Sequence, residues 1–413
     1  MLALIIPTAA NSQNQVSTPY SKYGLGKVDL FDNAINNAMG GVGYALSNNY
    51  HINPLNPASY AGIDTTSLVF DMGFYAEWGR LSSKDNRSKN NSASLSHITI
   101  GFPVHRTTKI VLGLLPMSNI NYTSSETIVD TNLGTHKKEY AGDGGISKGL
   151  LGVAFSPIKN LSIGANLEYL FGNYYKSSSV LFPDSLYMYS ARRETNYHIN
   201  AFNYNFGIQY FYTLKNEDRI GLGAVYNPNV KLKTDNMYSH YTFTSSGGLE
   251  YIKDSIHETS DKGNILYPQS FGIGLSYEKK NSFLIGLDGS YANWSEFYLQ
   301  PDIPNQYLTD EYRLGLGGEW RPNPYGNYMQ KLAYRGGIRY STGMLEIFDT
   351  RIKEFGIGFG IGMPIKKTNT MINLSMEYFT KGSTSNGLIR EDYFRIGLSL
   401  STKDTWFFKR KYQ

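Results

Sequence analysis

Along most of the chain, apolar and polar side chains alternate at every second position, as they do in strands whose two faces meet different surroundings. Between Asn281 and Tyr291, Phe283, Ile285, Leu287 and Tyr291 share one face, and Asp288 and Ser290 the other. Between Met371 and Phe379, Ile372, Leu374, Met376 and Tyr378 oppose Asn373, Ser375 and Glu377. Leu161, Ile163, Ala165, Leu167 and Tyr169 likewise oppose Ser162, Asn166 and Glu168. Extended along the chain, the pattern predicts fourteen strands, at 67–81, 93–103, 108–124, 146–156, 160–173, 192–213, 218–235, 266–278, 281–292, 310–320, 331–341, 352–363, 369–380 and 390–402. An even number of strands suits a closed antiparallel barrel whose two ends leave on the same side.

The connections support this reading. Short ones at 104–107, 157–159, 214–217, 279–280 and 364–368 alternate with longer ones at 82–92, 125–145, 174–191, 236–265, 293–309, 342–351 and 381–389. Outer-membrane barrels have this rhythm, with short periplasmic turns and longer outer loops. Aromatic residues near the strand ends, including Trp78, Trp294, Trp320 and Trp406, suit the two interfaces of a bilayer. The expected fold is all-β: a fourteen-stranded antiparallel transmembrane β-barrel.

Composition agrees. Charged residues are 18% of the 413, and Gly, Tyr and Phe number 42, 34 and 21, which excludes a disordered or coiled-coil chain. The net charge of +5 is not concentrated in any basic block, so no nucleic-acid partner is expected. The absence of cysteine excludes disulfides, thiolate metal sites and a cysteine nucleophile. Residues 1–17 begin MLALIIPTAANSQ, similar to the tail of a secretory signal without its basic start, and are assigned as a residual signal and lead.

Glycines recur in strand phase. Gly356, Gly358, Gly360 and Gly362 share the face opposite Phe355, Ile357, Phe359 and Ile361, which makes a nucleotide-binding reading of these runs untenable because no glycine-rich turn leads into a helix. Glycine on an inward face leaves room for a plug or channel. The luminal polar candidates by phase are Asp71, Glu77, Glu168, Asp288, Arg313, Glu319, Arg335, Arg339, Glu377 and Arg395. A cationic side chain facing lipid costs roughly 2–4 kcal/mol at the midplane, so these charges are expected to face inward. Their simplest role is to pair across the lumen or hold a plug. Of the seven histidines, His97 and His198 fall in strands, and spacing reveals no oriented Ser/His/Asp set; no HExxH or calcium loop occurs. No catalytic residue, metal or cofactor is expected.

Residues 18–66 are rich in Gly and Asn, with a short helical stretch around 31–39, and are long enough to fill a channel. The Ala38-Met39-Gly40-Gly41 segment, the Asn56-Pro57-Ala58 motif before the first strand, the fourteen strands after them and the ending at 387–413 resemble the FadL-type (OMPP1/FadL/TodX-like) outer-membrane transporters, the long-chain fatty acid and hydrocarbon channels, in their divergent Bacteroidota form. The resemblance implies a luminal hatch at 18–66, with Gly40, Gly41, Asn56, Pro57 and Ala58 as its candidates, and a barrel at 67–413 in the outer membrane. It further implies passive uptake of small hydrophobic or amphipathic molecules, with outer-membrane lipid or lipopolysaccharide around the barrel. The alternative is a noncatalytic structural or assembly subunit of a larger outer-membrane complex, contacting surface-exposed proteins through loop 236–265, which carries Tyr238, Tyr241, Phe243, Tyr251 and Ile252. A continuous apolar path through the lumen favours transport, and a polar, filled lumen favours the subunit.

Overall fold

A computed structural model describes residues 18–28, 33–131, 134–182, 188–246, 249–280, 282–299 and 307–405. The predicted lead at 1–17 and Trp406 lie outside them. Fourteen antiparallel strands follow one another around a closed wall. They are β1 (Ser67–Ser82), β2 (Arg87–Pro103), β3 (Thr108–Asp130), β4 (Gly134–Ile158), β5 (Leu161–Leu181), β6 (Ser190–Thr213), β7 (Arg219–Asn227 continuing as Val230–Ser246) and β8 (Leu249–Tyr267 continuing as Ser270–Lys279). The circuit continues through β9 (Phe283–Ala292), β10 (Glu311–Trp320), β11 (Ala333–Ser341), β12 (Glu354–Pro364), β13 (Thr370–Lys381) and β14 (Arg390–Thr405), and β14 pairs with β1 from Arg390↔Ser82 to Thr405↔Ser67. Every predicted strand has its counterpart.

Polarity follows the predicted phase. Ile285, Leu287, Leu314, Leu316, Phe355 and Phe359 are exposed on the outer face, whereas Asp288, Asn373, Ser375 and Glu377 are buried. Such an outer face is compatible with lipid and with little else. β7 and β8 break side by side at Pro228 and Pro268, because proline has no N–H to give to the ladder.

Four predicted loops are instead largely strand. Residues 82–92, 125–145, 174–191 and 236–265 extend the hairpins, so that β3 to β6 reach 23, 25, 21 and 24 residues while β9 to β13 have only 10, 10, 9, 11 and 12. One side of the wall is therefore tall and the other low. Along these extensions most side chains on both faces are polar, so the apolar-polar alternation fades while the backbone ladder continues. On the low side, residues 293–299, 307–309 and 342–351 of the connections fold inward. Trp294 is 3% exposed and packs with Phe297, Leu308, Met344, Leu345 and Ile347, so it is an interior residue and not an interfacial one. Trp78 and Trp320 are exposed on the outer face, as expected.

Candidate functional site: the barrel lumen

Residues 18–28 and 33–66 pack against the inner face of the wall, and the inward glycines mark where they touch it. A Cβ on Gly317 would lie 2.1 Å from the Met39 carbonyl oxygen, one on Gly337 2.2 Å from Met39 C, and one on Gly358 2.4 Å from the Asn37 carbonyl oxygen. On the opposite wall, a Cβ on Gly223 would lie 1.9 Å from the Tyr44 carbonyl oxygen and one on Gly164 2.4 Å from Pro57 C. These contacts are backbone against backbone, which only glycine permits.

The segment's own turns explain its residues. Asn33 caps the short helix α1 (Ala34–Ala38) by accepting from Asn36 N at 2.8 Å. Gly40 and Gly41 follow with φ of 66° and 81°, the left-handed region that stops a helix cheaply. Asn56 accepts from Ala58 N at 3.0 Å, starting the 3-10 turn Pro57–Gly62, and its Nδ2 donates to the Tyr44 carbonyl at 2.7 Å and the Ile208 carbonyl at 3.3 Å. The Asn-Pro-Ala motif is thus both a turn and an attachment to β6.

All ten luminal polar candidates face inward. Asp288 accepts from Gly43 N at 2.7 Å and Tyr44 N at 2.8 Å, tying the segment to β9. Arg395 binds Glu77 through Nε at 2.8 Å, and Glu77 also binds Lys27 from the N-terminal segment. Arg339 sits between Glu354, at 2.9 Å, and Glu377. Arg335 joins Glu319 at 2.7 Å and Asn373 at 2.9 Å. Arg313 pairs with Glu311 at 2.8 Å, and Glu168 accepts from Asn203 at 2.8 Å with Lys148 at 3.4 Å. Asp71 meets His97 Nε2 at 3.1 Å. Sequence phase missed Lys27, which lies in no long strand, and Glu311, Glu354 and Glu391, which lie at strand ends where alternation is short.

The structure also brings Ser96 Oγ to 2.9 Å from His97 Nδ1, so a Ser/His/Asp chain that spacing did not reveal exists at a bulge in β2. His97 is 1% exposed and is not among the residues lining the luminal cavity; its Nε2 gives Oδ1 of the buried Asp71 a partner. His198 is exposed on the outer face, 2.6 Å from Asn173 Oδ1. Among the described residues, no group of His, Asp and Glu is placed to hold a metal ion.

β2 and β3 pair only from Ile98↔Leu114 to Pro103↔Lys109. Above this point the edge of β3 is taken by the N-terminal segment: Lys27 and Val28 pair with Asn119 and Ser118, and Thr18 N donates to the Asn121 carbonyl at 2.8 Å. Tyr20 donates to the Ile389 carbonyl at 2.7 Å, and burial pushes its hydroxyl up to about 12, so it stays a neutral donor. Tyr20 and Leu25 then join the Trp294 and Met344 cluster of packed apolar side chains in the upper lumen. Beside this cluster lies a cavity of about 240 Å³, with Lys27, Glu168, Arg313 and Glu391 in its walls together with the apolar Leu55, Met117 and Phe379.

A closed fourteen-stranded antiparallel wall, oily outside and charged inside, defines the class of outer-membrane-type β-barrels. Its fold is similar to that of a Pseudomonas aeruginosa FadL homologue (14% identity, 93% of this chain and 100% of that one, TM-score 0.63). It is also similar to the Pseudomonas putida toluene transporter TodX (16%, 92% and 99%, 0.57) and the CymD monoaromatic hydrocarbon channel (14%, 93% and 99%, 0.58). At these identities the likeness is one of fold. The model of the BamG family matches residues 1–413, and the chain belongs to the BamG family. The FadL-type resemblance therefore holds for architecture, while the family bears another name. No curated protein matches the sequence.

Proposed function

We propose that this protein is a noncatalytic structural subunit of an outer-membrane protein assembly, a barrel filled by its own residues 18–66 and not a conduit for hydrophobic molecules. The observation that carries the reading is the lumen. The luminal cavity is not purely apolar: Lys27, Arg313, Glu168 and Glu391 stand in its walls beside Leu55, Met117 and Phe379, and a hydrocarbon entering it would displace water from these charged groups. The N-terminal segment is held by backbone contacts at glycines and by bonds to Asp288, Glu77 and Ile208, so opening a path breaks many contacts at once. This favours the subunit over the passive uptake that the FadL-type resemblance implies. The tall wall gives the assembly its contact area: Tyr251 and Ile252 on the outer part of β8 are 49% and 64% exposed, whereas Phe243, the neighbour of Ile252 on β7, is buried under Arg192.

The test joins two measurements. Val28 and Ser118 are antiparallel partners, so Val28→Cys with Ser118→Cys staples the segment to β3 in a chain without competing cysteines. Stapled and reduced protein should give equal cellular uptake of a labelled fatty acid and of toluene, and mild-detergent purification should recover a stoichiometric protein assembly with both. Uptake lost on stapling and restored by reductant, with the protein purifying alone, would replace this reading with transport.

A further inference from the structure

We propose that the connection between β10 and β11, residues 321–332, is a docking knob on the short-turn side of the barrel for a second protein, whose complementary surface is an apolar pocket rimmed by carboxylates. The proposal rests on the subunit reading and assigns it a partner contact at the end opposite the tall wall.

The other turns on this side, 104–107, 159–160, 214–218, 280–282 and 365–369, have five residues or fewer, whereas this one has twelve. A barrel turn needs no such length, and the extra residues form an ordered structure. Asn327 and Gln330 make a reciprocal capping box around the short helix Tyr328–Lys331. Asn323 N donates to the Gln330 carbonyl at 3.0 Å, Tyr325 N to Asn323 Oδ1 at 3.0 Å, and Tyr334 Oη to the Met329 carbonyl at 3.1 Å. What this frame presents is apolar: Tyr325 is 86% exposed, Met329 65% and Tyr328 42%. Trp320 and Tyr334, with tilted rings 5.9 Å apart at the strand ends, already provide the interfacial aromatic pair here, and the knob continues beyond them.

Charge selects the kind of partner. Neither 321–332 nor 365–369 contains a carboxylate, while they carry Arg321, Lys331, Lys366 and Lys367. Lys366 Nζ lies 5.7 Å from the centre of the Tyr328 ring, which places the second turn beside the first. Arg321 is engaged by Glu319 at 2.8 Å, so the three lysines set the field around the aromatic residues. A preordered Tyr/Met anchor loses little entropy on insertion into a pocket, and a basic rim steers and orients an acidic one.

The test places a benzoylphenylalanine photocrosslinker at Tyr325 in the full chain, in its native membrane. The expected result is one protein adduct of discrete mass whose yield falls at least fivefold with Lys366→Glu plus Lys367→Glu, and falls likewise in 0.5 M salt, where the Debye length is about 4–5 Å, while heat-modifiable migration shows the barrel still folded. Adducts only to lipid, no adduct, or an adduct indifferent to the charge reversal would each overturn the proposal. Should a stoichiometric assembly be recovered while Tyr325 marks only lipid, the docking knob fails and the subunit reading stands. Should the protein purify alone and transport, both fail.

Discussion

Asp288 offers a direct measure of how firmly the lumen is filled. Its carboxylate accepts two backbone N–H groups of the N-terminal segment, from Gly43 and Tyr44, at 2.7 and 2.8 Å. Hydrogen bonds to a charged acceptor contribute about 1.5–3 kcal/mol each, so Asp288→Ala should weaken the docking of this stretch by about 3–6 kcal/mol. At about 1.4 kcal/mol per factor of ten, amide exchange that proceeds through local release should accelerate by roughly 10²–10⁴. Asp288→Asn keeps an oxygen acceptor but loses its charge, and the expected acceleration is about tenfold. Hydrogen–deuterium exchange followed by peptide mass spectrometry reads the effect directly, comparing a peptide over 40–48 with one from β5. The reasoning is refuted if the 40–48 peptide exchanges at the original rate in Asp288→Ala. It is equally refuted if β5 accelerates in step with it, because the carboxylate would then hold the wall and not the segment.

Three further outcomes follow from the same geometry. Gly337→Ala should destabilise the folded barrel by about 1–3 kcal/mol, because its Cβ would meet Met39 at 2.2 Å, whereas Gly336→Ala should be near neutral, with nothing closer than 3.9 Å; urea unfolding in detergent distinguishes them. Arg339→Met leaves Glu354 and Glu377 without their guanidinium and should cost about 3–5 kcal/mol, partly recovered by adding Glu377→Gln, as read from the temperature at which the folded electrophoretic band disappears. In single-tryptophan variants reconstituted with brominated lipid, Trp78 and Trp320 should be quenched and Trp294 should not; quenching of Trp294 would contradict its place in the interior cluster.

The strand count and the facing of each strand are legible in the sequence because they come from a local contrast. Lipid on one side and a polar lumen on the other force a change of polarity at each residue, and this held even for β7 and β8, where Pro228 and Pro268 interrupt the ladder. The inward glycines are legible for the same reason, although what they make room for is not. The height of the hairpins could not be read, since at 125–145 and 236–265 polar side chains occupy both faces and the hydrogen-bonded neighbour keeps the chain extended. Nor could the partner of any luminal charge: Arg395 and Glu77 stand 318 positions apart and meet only because β14 closes on β1. Lys27 joins them from a two-residue strand without a period, and Trp294 has an interfacial residue's composition in an interior position. Which luminal charges meet, and what the inward glycines make room for, depends on such distant meetings, so closure of the barrel decided it, where a period of two residues carries no information.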